Sequence, residues 1–423
     1  MIKKILLGLV VILLLQIDND LKPEIADMLE QAMPAESSEA YLYLLGIVAA
    51  ESEDPSVVGR QLFTDMQRAE EHYTFGDQSF EYEAYPEDKM LPLPQGELFC
   101  DSSEEGCWQA IFNKKQEREQ VLQANTTLLE RYNAFISLPD YHSLAKPTEQ
   151  EVFPPFSYLI KANRLVILNA INTHQTAEYG RTINVLTDHV STLRNQLMRA
   201  DNLVAKMVYS AMISDNLDAL SLIIHASNGV LNDEIASLSL AERDLALAMS
   251  REFAMGYGLY TNLDRNSEFF GYAEDGWKGY MPGWLVRVFF KPNMTANDAF
   301  IFYSDTVQRS QLAQTEFAKS DLERSEEPYF KLSSIRNSVG NILNSIARPN
   351  FDQYIARLFD LNTKISIFNQ IADKAVLPID IDYIQNPNYG TGDTAYYSEE
   401  GKSICLTGPL EDERSLRCLR VKL

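Results

Sequence analysis

The sequence predicts a mainly α-helical fold, a multi-helix, bundle-like domain that ends in a small disulfide-stapled β segment. Three observations carry that expectation. Apolar residues recur every three or four positions through most of the chain, which places them on one face of a helix. After Val376 the pattern gives way to short apolar stretches punctuated by Pro378, Pro387, Gly390, Gly392, Gly401, Gly408 and Pro409, the composition of a small sheet and its turns. Four cysteines fall in two close pairs, Cys100 with Cys107 and Cys405 with Cys418.

At the N-terminus Lys3 and Lys4 precede the uncharged run Ile5–Leu15, and acids appear from Asp18. A basic start followed by such a run reads as an export signal. The run is shorter than the roughly 20 apolar residues of an ordinary spanning helix. The stretch Gln16-Ile17-Asp18-Asn19-Asp20 offers no small-residue cleavage site and no lipid-accepting cysteine. The expectation is an uncleaved signal anchor over 1–19. Lys3 and Lys4 then stay inside by the positive-inside rule, and the bulk of the chain faces out. The alternative is a cleaved peptide and a soluble exported protein.

A second segment, 20–107, begins helical. Ile25, Met28, Leu29 and Ala32 share a face that Pro34 ends, and Tyr41, Leu44, Leu45 and Val48 form another. Residues 72–107 are rich in acids, aromatics and prolines and read as a long ordered loop pinned by a Cys100–Cys107 bridge. Alternation of Phe80, Tyr82 and Ala84 with Glu81 and Glu83 suggests a short strand there. The main helical domain is expected over 108–375. Its clearest stripe is Leu186, Val190, Leu193, Leu197, Val204, Met207 and Ala211, read as the buried face of a bundle helix rather than a coiled-coil seam. Ser239 and Glu242 have capping-box spacing and open a helix over 240–255. Further helices are expected over 296–320 and 332–375. In the terminal module, 376–423, strands are expected at 395–397, 404–406 and 416–421, with Cys405 and Cys418 on the last two.

Charge excludes one class of partner. The chain carries 60 acidic and 37 basic residues, a net charge of −23, and such a surface repels nucleic acid backbones. An even cysteine count in an exported chain reads as local disulfides. A zinc site is disfavoured because neither pair has C-x-x-C spacing and no histidine is near in sequence.

The catalytic motifs fail in context. Ser143-Leu-Ala-Lys146 and Ser214-Asp-Asn216 match the S-x-x-K and S-D-N elements of penicillin-binding serine acylases. Pro147 follows the lysine directly, however, and no K-T-G is present. None of the five histidines belongs to H-E-x-x-H. His174 with Glu178, and Asp188 with His189, would converge on a metal only if their helices were antiparallel neighbours. Such spacings more often mark surface pairs and core histidines, so neither metal nor cofactor is expected. The richest feature is aromatic: fourteen aromatic residues lie between Phe253 and Tyr303, among Gly271, Gly276, Gly279 and Gly283. Trp277, Tyr280, Trp284 and Phe289 are the candidate binding residues, since glycine-hinged aromatics suit a partner, ligand or membrane surface. The competing reading is that these rings simply pack a long connection onto the bundle.

Several short pieces, in order, carry a resemblance. They include Ala40-Tyr-Leu-Tyr-Leu-Leu-Gly46, Val58-Gly-Arg60, Cys107-Trp108, Leu128-Leu-Glu-Arg-Tyr132, Lys291-Pro-Asn-Met-Thr-Ala-Asn297, Asn337-Ser-Val-Gly340, Tyr354-Ile-Ala-Arg357 and Asn386-Pro-Asn-Tyr-Gly390. The chain resembles a family of uncharacterised exported or membrane-anchored helical proteins of Gram-negative bacteria. The resemblance implies an exported or membrane-anchored location and a helical build, and no activity; with the N-terminal reading, the expected location is an inner-membrane anchor with a periplasmic body, or a cleaved, soluble periplasmic protein. The expected function is therefore binding of a partner protein or envelope ligand through the aromatic region. The alternatives are a periplasmic immunity or inhibitor protein, and an envelope hydrolase using carboxylates such as Glu178 and Asp188.

Overall fold

The computed structural model describes residues 17–75, 81–174, 179–227, 234–265, 288–322, 336–347, 350–372, 379–398, 402–412 and 414–423. The fold is mainly helical, with a small antiparallel sheet at the C-terminal end. One apolar cluster runs from Ile25 to Val421 and draws on nearly every element.

The first three helices, α1 (Pro23–Gln31), α2 (Glu39–Leu45) and α3 (Pro55–His72), start where the sequence supplies a cap or a proline. Ser38 accepts the Tyr41 N–H, and Asp54 accepts those of Ser56 and Val57. Pro23 and Pro55 occupy first-turn positions, where a missing N–H costs nothing. Helices α2 and α3 cross backbone to backbone through Gly46 and Gly59. A methyl group on Gly59 would lie 1.7 Å from the Leu42 carbonyl oxygen.

The segment after α3 is held by side chains rather than by strand pairing. Residues 81–86 form no strand, contrary to the alternation expected there. Tyr85 instead accepts the Ala50 N–H at 2.9 Å and donates to Glu53. Phe80 lies outside the described residues. Helices α4 (Cys107–Asn113), α5 (Lys115–Ala124) and α6 (Thr126–Ser137) follow. From α6, buried Arg131 donates to the carbonyls of Ile47, Ala49, Ala50 and Glu53. These are backbone acceptors of the irregular α2–α3 connection, and one guanidinium serves all four beside the core.

The centre is formed by α7 (Phe156–His174), α8 (Tyr179–Arg199) and α9 (Leu203–Ser227). The long stripe expected across 186–211 is broken. Leu186, Val190, Leu193 and Leu197 are buried on α8, but the helix stops at Arg199 and Asn202 caps a new one by accepting the Ala205 N–H. The new helix has a different phase, and Val204 is 43% exposed. Among the described residues α9 is long and apolar enough to cross a membrane. Here it is the core helix, packed by α7, α8 and α15 (Asp352–Ile371).

The expected 240–255 helix is likewise two. The capping box of Ser239 and Glu242 forms and opens the short α10 (Leu240–Arg243). Asp244 then interrupts, its carboxylate accepting the Ala246 N–H at the start of α11 (Ala246–Arg265). Helices α12 (Pro292–Ser310), α13 (Gln314–Leu322), α14 (Ser338–Ile346) and α15 complete the helical body.

The C-terminal module has one more hairpin than the sequence suggests. β1 (Gln385–Asn386) pairs with β2 (Gly390–Thr394), and β3 (Tyr396–Tyr397), β4 (Ser403–Cys405) and β5 (Cys418–Arg420) make a three-stranded antiparallel sheet. Cys405 and Cys418 sit directly opposite each other and are bonded. The sheet packs on α9 and α15. Arg417 lies 3.5 Å from Asp360 of α15 and 3.7 Å from Asp412. Burial pushes the Asp360 carboxyl up to about 8 despite that guanidinium.

Candidate functional site

Most of the candidate binding residues singled out in sequence fall outside the described ones. Trp277, Tyr280 and Trp284 lie outside the described residues. Phe289 is half-buried. Its neighbours in the aromatic region are packing groups: Phe253 is 1% exposed and makes edge-on contacts with Phe300 and Tyr303, and Phe290 is also buried. Of the metal candidates, Glu178 and the His174 side chain lie outside the described residues. Asp188 and His189 do not act together, since Asp188 is exposed and His189 buried. His189 Nε2 is 3.1 Å from Asn163 Oδ1, which also accepts from Asn216 at 2.7 Å. An amide oxygen only accepts, so the imidazole proton sits on Nε2. Burial lowers this imidazole to about 4, and it is a neutral core group. Among the described residues no set of three or more His, Cys, Asp or Glu is placed to hold a metal ion.

The structure assembles a different site. Both cysteine pairs are bonded, and the two loops they close meet across α9. Asp215 of α9 accepts from Ser102 at 2.6 Å and from Arg164 at 3.2 Å. Arg164 also reaches the Cys100 carbonyl at 3.4 Å and lies over the Trp108 ring. These contacts clamp the first loop to the helical core. On the other side the Arg420 N–H of β5 donates to Asp218 Oδ1 at 3.0 Å. Lys402, just before β4, reaches across to Glu105 of the first loop at 3.8 Å.

Between the loops is a cavity of about 270 Å³. Its floor is Ser214, Asp218 and Lys364, which lies one helix away on α15. Lys364 is 2% exposed and donates to Ser214 Oγ and Asp218 Oδ2, both at 2.7 Å. Burial raises the Asp218 carboxyl above its ordinary range, while Lys364 and the Arg420 N–H pull it back. The walls carry the hydroxyls of Ser102, Ser103, Ser398, Ser403 and Ser415, and the rim carries Lys402, Arg414, Arg420 and Glu105. Four cations therefore face two carboxylates, inside a chain of net charge −23.

This arrangement sets the chemistry. An ammonium that already donates to both a hydroxyl and a carboxylate is a poor base. Ser214 thus keeps its proton and offers it as a hydrogen-bond donor rather than as an activated nucleophile. The S-D-N motif turns out to place its serine at a lysine, but not the lysine of the S-x-x-K. Lys146 points instead to Glu70 at 3.6 Å, and Ser143 is buried, accepting from Arg251 at 3.2 Å.

A second, smaller cavity of about 160 Å³ is lined by Phe63, Met66, Glu70, Lys146 and Glu151. Burial raises the Glu151 carboxyl to about 7, but its 2.5 Å contact with Arg251 commits it to an ion pair. Arg251 is held in turn by the Ala145 carbonyl. Sequence reasoning missed the larger cavity because its parts come from both ends of the chain. The pairing of the four cysteines into two close pairs was the signal that pointed to both of its rims. Comparison with known proteins adds no relative: no family model, no curated protein and no solved structure matches this chain.

Proposed function

We propose that this chain is a membrane-anchored, periplasmic binding protein, and that its ligand is a small anionic molecule bearing hydroxyl groups. The observation that carries the reading is the cavity between the disulfide-closed loops, with its excess of cations and its ring of serine hydroxyls. Charge-assisted and hydroxyl hydrogen bonds orient a carboxylated or phosphorylated polyol, and loops closed by disulfides lose little entropy when it binds. The anchor follows from Lys3, Lys4 and the apolar run Ile5–Leu15.

The test is titration calorimetry with inorganic phosphate, glucose 6-phosphate, glucuronate and uncharged glucose. We expect at least one anionic probe to bind and glucose not to. A charge-assisted hydrogen bond contributes roughly 1.5–3 kcal/mol, so Arg420→Ala and Lys402→Ala should each weaken binding by about ten-fold or more without lowering the melting temperature. Heats that are absent for every anion, or affinities unchanged in both variants, would overturn the reading.

A further inference from the structure

The residues that follow the apolar run are not a linker. Asp18 caps α12, its carboxylate accepting the N–H groups of Asn293 at 2.9 Å and Met294 at 3.1 Å. The Asn19 carbonyl accepts from Asn293, and Arg336 donates to the Asn19 side chain at 2.5 Å. Asn297 completes the fastening. Its amide donates to the Asp20 carbonyl at 2.9 Å and its Oδ1 accepts the Lys22 N–H at 3.0 Å. Lys22 Nζ reaches the Asn297 carbonyl at 3.1 Å. A helix N-terminus carries a partial positive charge and unpaired N–H groups, and here a carboxylate from the start of the described chain satisfies them.

Taking the apolar run as the membrane segment, as the proposed function does, this clamp fixes the position of the whole body. Leu15 and Asp18 are three residues apart, at most about 10 Å of extended chain. The headgroup layer on one side of a bilayer is about 5–8 Å thick. A run this short also draws its flanking residues inward, because a segment that under-fills the hydrocarbon thins the bilayer around itself. We infer that the body is docked against the bilayer rather than tethered above it, with the N-terminal end of α12 at the headgroup boundary. The described surface there suits the position. Ile17 is 54% exposed; Phe289 and Met294 are half-buried and keep part of their surface open; Tyr257 reaches Asn293 at 3.5 Å; and Arg336 supplies a cation. Aromatic, apolar and arginine side chains are the groups that settle at a lipid–water interface. The partner is therefore the zwitterionic lipid surface itself, since the rest of this acidic chain is repelled by anionic lipid.

The test uses the full chain in phosphatidylcholine vesicles doped with headgroup-spin-labelled lipid. Among the described residues no cysteine is free, so Met294→Cys can be labelled with a single fluorophore while leaving the backbone clamp intact. We expect the label to be quenched at least three-fold more strongly than in a chain with eight Gly-Ser residues inserted between Ile17 and Asp18, which lets the body drift by roughly 15 Å. Asp18→Ala, which loosens the clamp without lengthening the chain, should give intermediate quenching. Vesicle flotation separates the two claims. A protein that co-floats but shows equal, weak quenching with and without the insert overturns the docking alone. A protein that fails to co-float overturns the anchor, and docking with it.

Discussion

Replacing Lys364 with methionine removes the cation that, among the described residues, pairs with Asp218 at the cavity floor. Methionine matches the lysine stem in length, so packing changes little, and the loss is electrostatic. In the native chain Lys364 Nζ and Asp218 Oδ2 are 2.7 Å apart with both side chains under a tenth exposed. Breaking one side of such a pair costs about 3–5 kcal/mol, because the remaining charge stays buried without its counter-ion. The Arg420 N–H still donates to Asp218, which places the expected loss toward the lower end, about 3 kcal/mol. The pH dependence follows from the acid that is left. Asp218 is already raised by burial, and losing Lys364 raises it further. A carboxyl whose folded pKa exceeds its unfolded value takes up a proton on folding. Its penalty is therefore largest at neutral pH and shrinks as pH falls toward the ordinary carboxylate range. Urea unfolding of wild type and Lys364→Met at pH 7.5 and pH 5 measures this. We expect a gap that narrows on acidification and that a second change, Asp218→Asn, largely closes at neutral pH. A Lys364→Met gap under 1 kcal/mol at pH 7.5, or one that widens in acid, would refute the account of the floor as a buried, mutually dependent pair.

Two further outcomes test the body of the fold. His189 is held near 4 by burial against about 6.5 when unfolded; stability should be intact above pH 6.5 and fall by roughly 3 kcal/mol between pH 6.5 and 4, and a His189→Gln chain should show a flatter profile over that window. Gly59→Ala should destabilise by about 3 kcal/mol or more, since its methyl meets the Leu42 backbone at 1.7 Å, whereas Gly258→Ala on α11, with nothing within 4 Å, should be neutral or slightly stabilising; thermal melts of both variants decide this.

Helices were legible in sequence where the signal is local, but their joints were not. The 186–211 stripe and the 240–255 helix each looked continuous because apolar spacing survives a short break. The breaks come from Asn202 and Asp244, whose side chains cap a new helix, and a capping residue inside a periodic run looks like any other polar residue. The hairpin of β1 and β2 was hidden for a related reason. Its strands contain glycine and polar residues, and they are held by bonds such as Asn386 to the Thr407 carbonyl at 2.9 Å rather than by an apolar face. In the aromatic region the sequence could not separate packing rings from partly exposed ones: among the described members Phe253, Phe290 and Tyr303 pack, while Phe289 is only half-buried.

By itself the sequence determined the helical class, the local pairing of the cysteines, the acidic surface and the apolar run that precedes Asp18. These properties depend on composition and on neighbours within a turn or two of helix. Tertiary structure alone decided that Ser102, Ser214, Lys364 and Arg420 share one cavity, and that Asp18 caps a helix starting at Pro292. Such encounters join segments hundreds of residues apart. No periodicity records them, because which helix face meets which loop is set by how the whole apolar cluster packs.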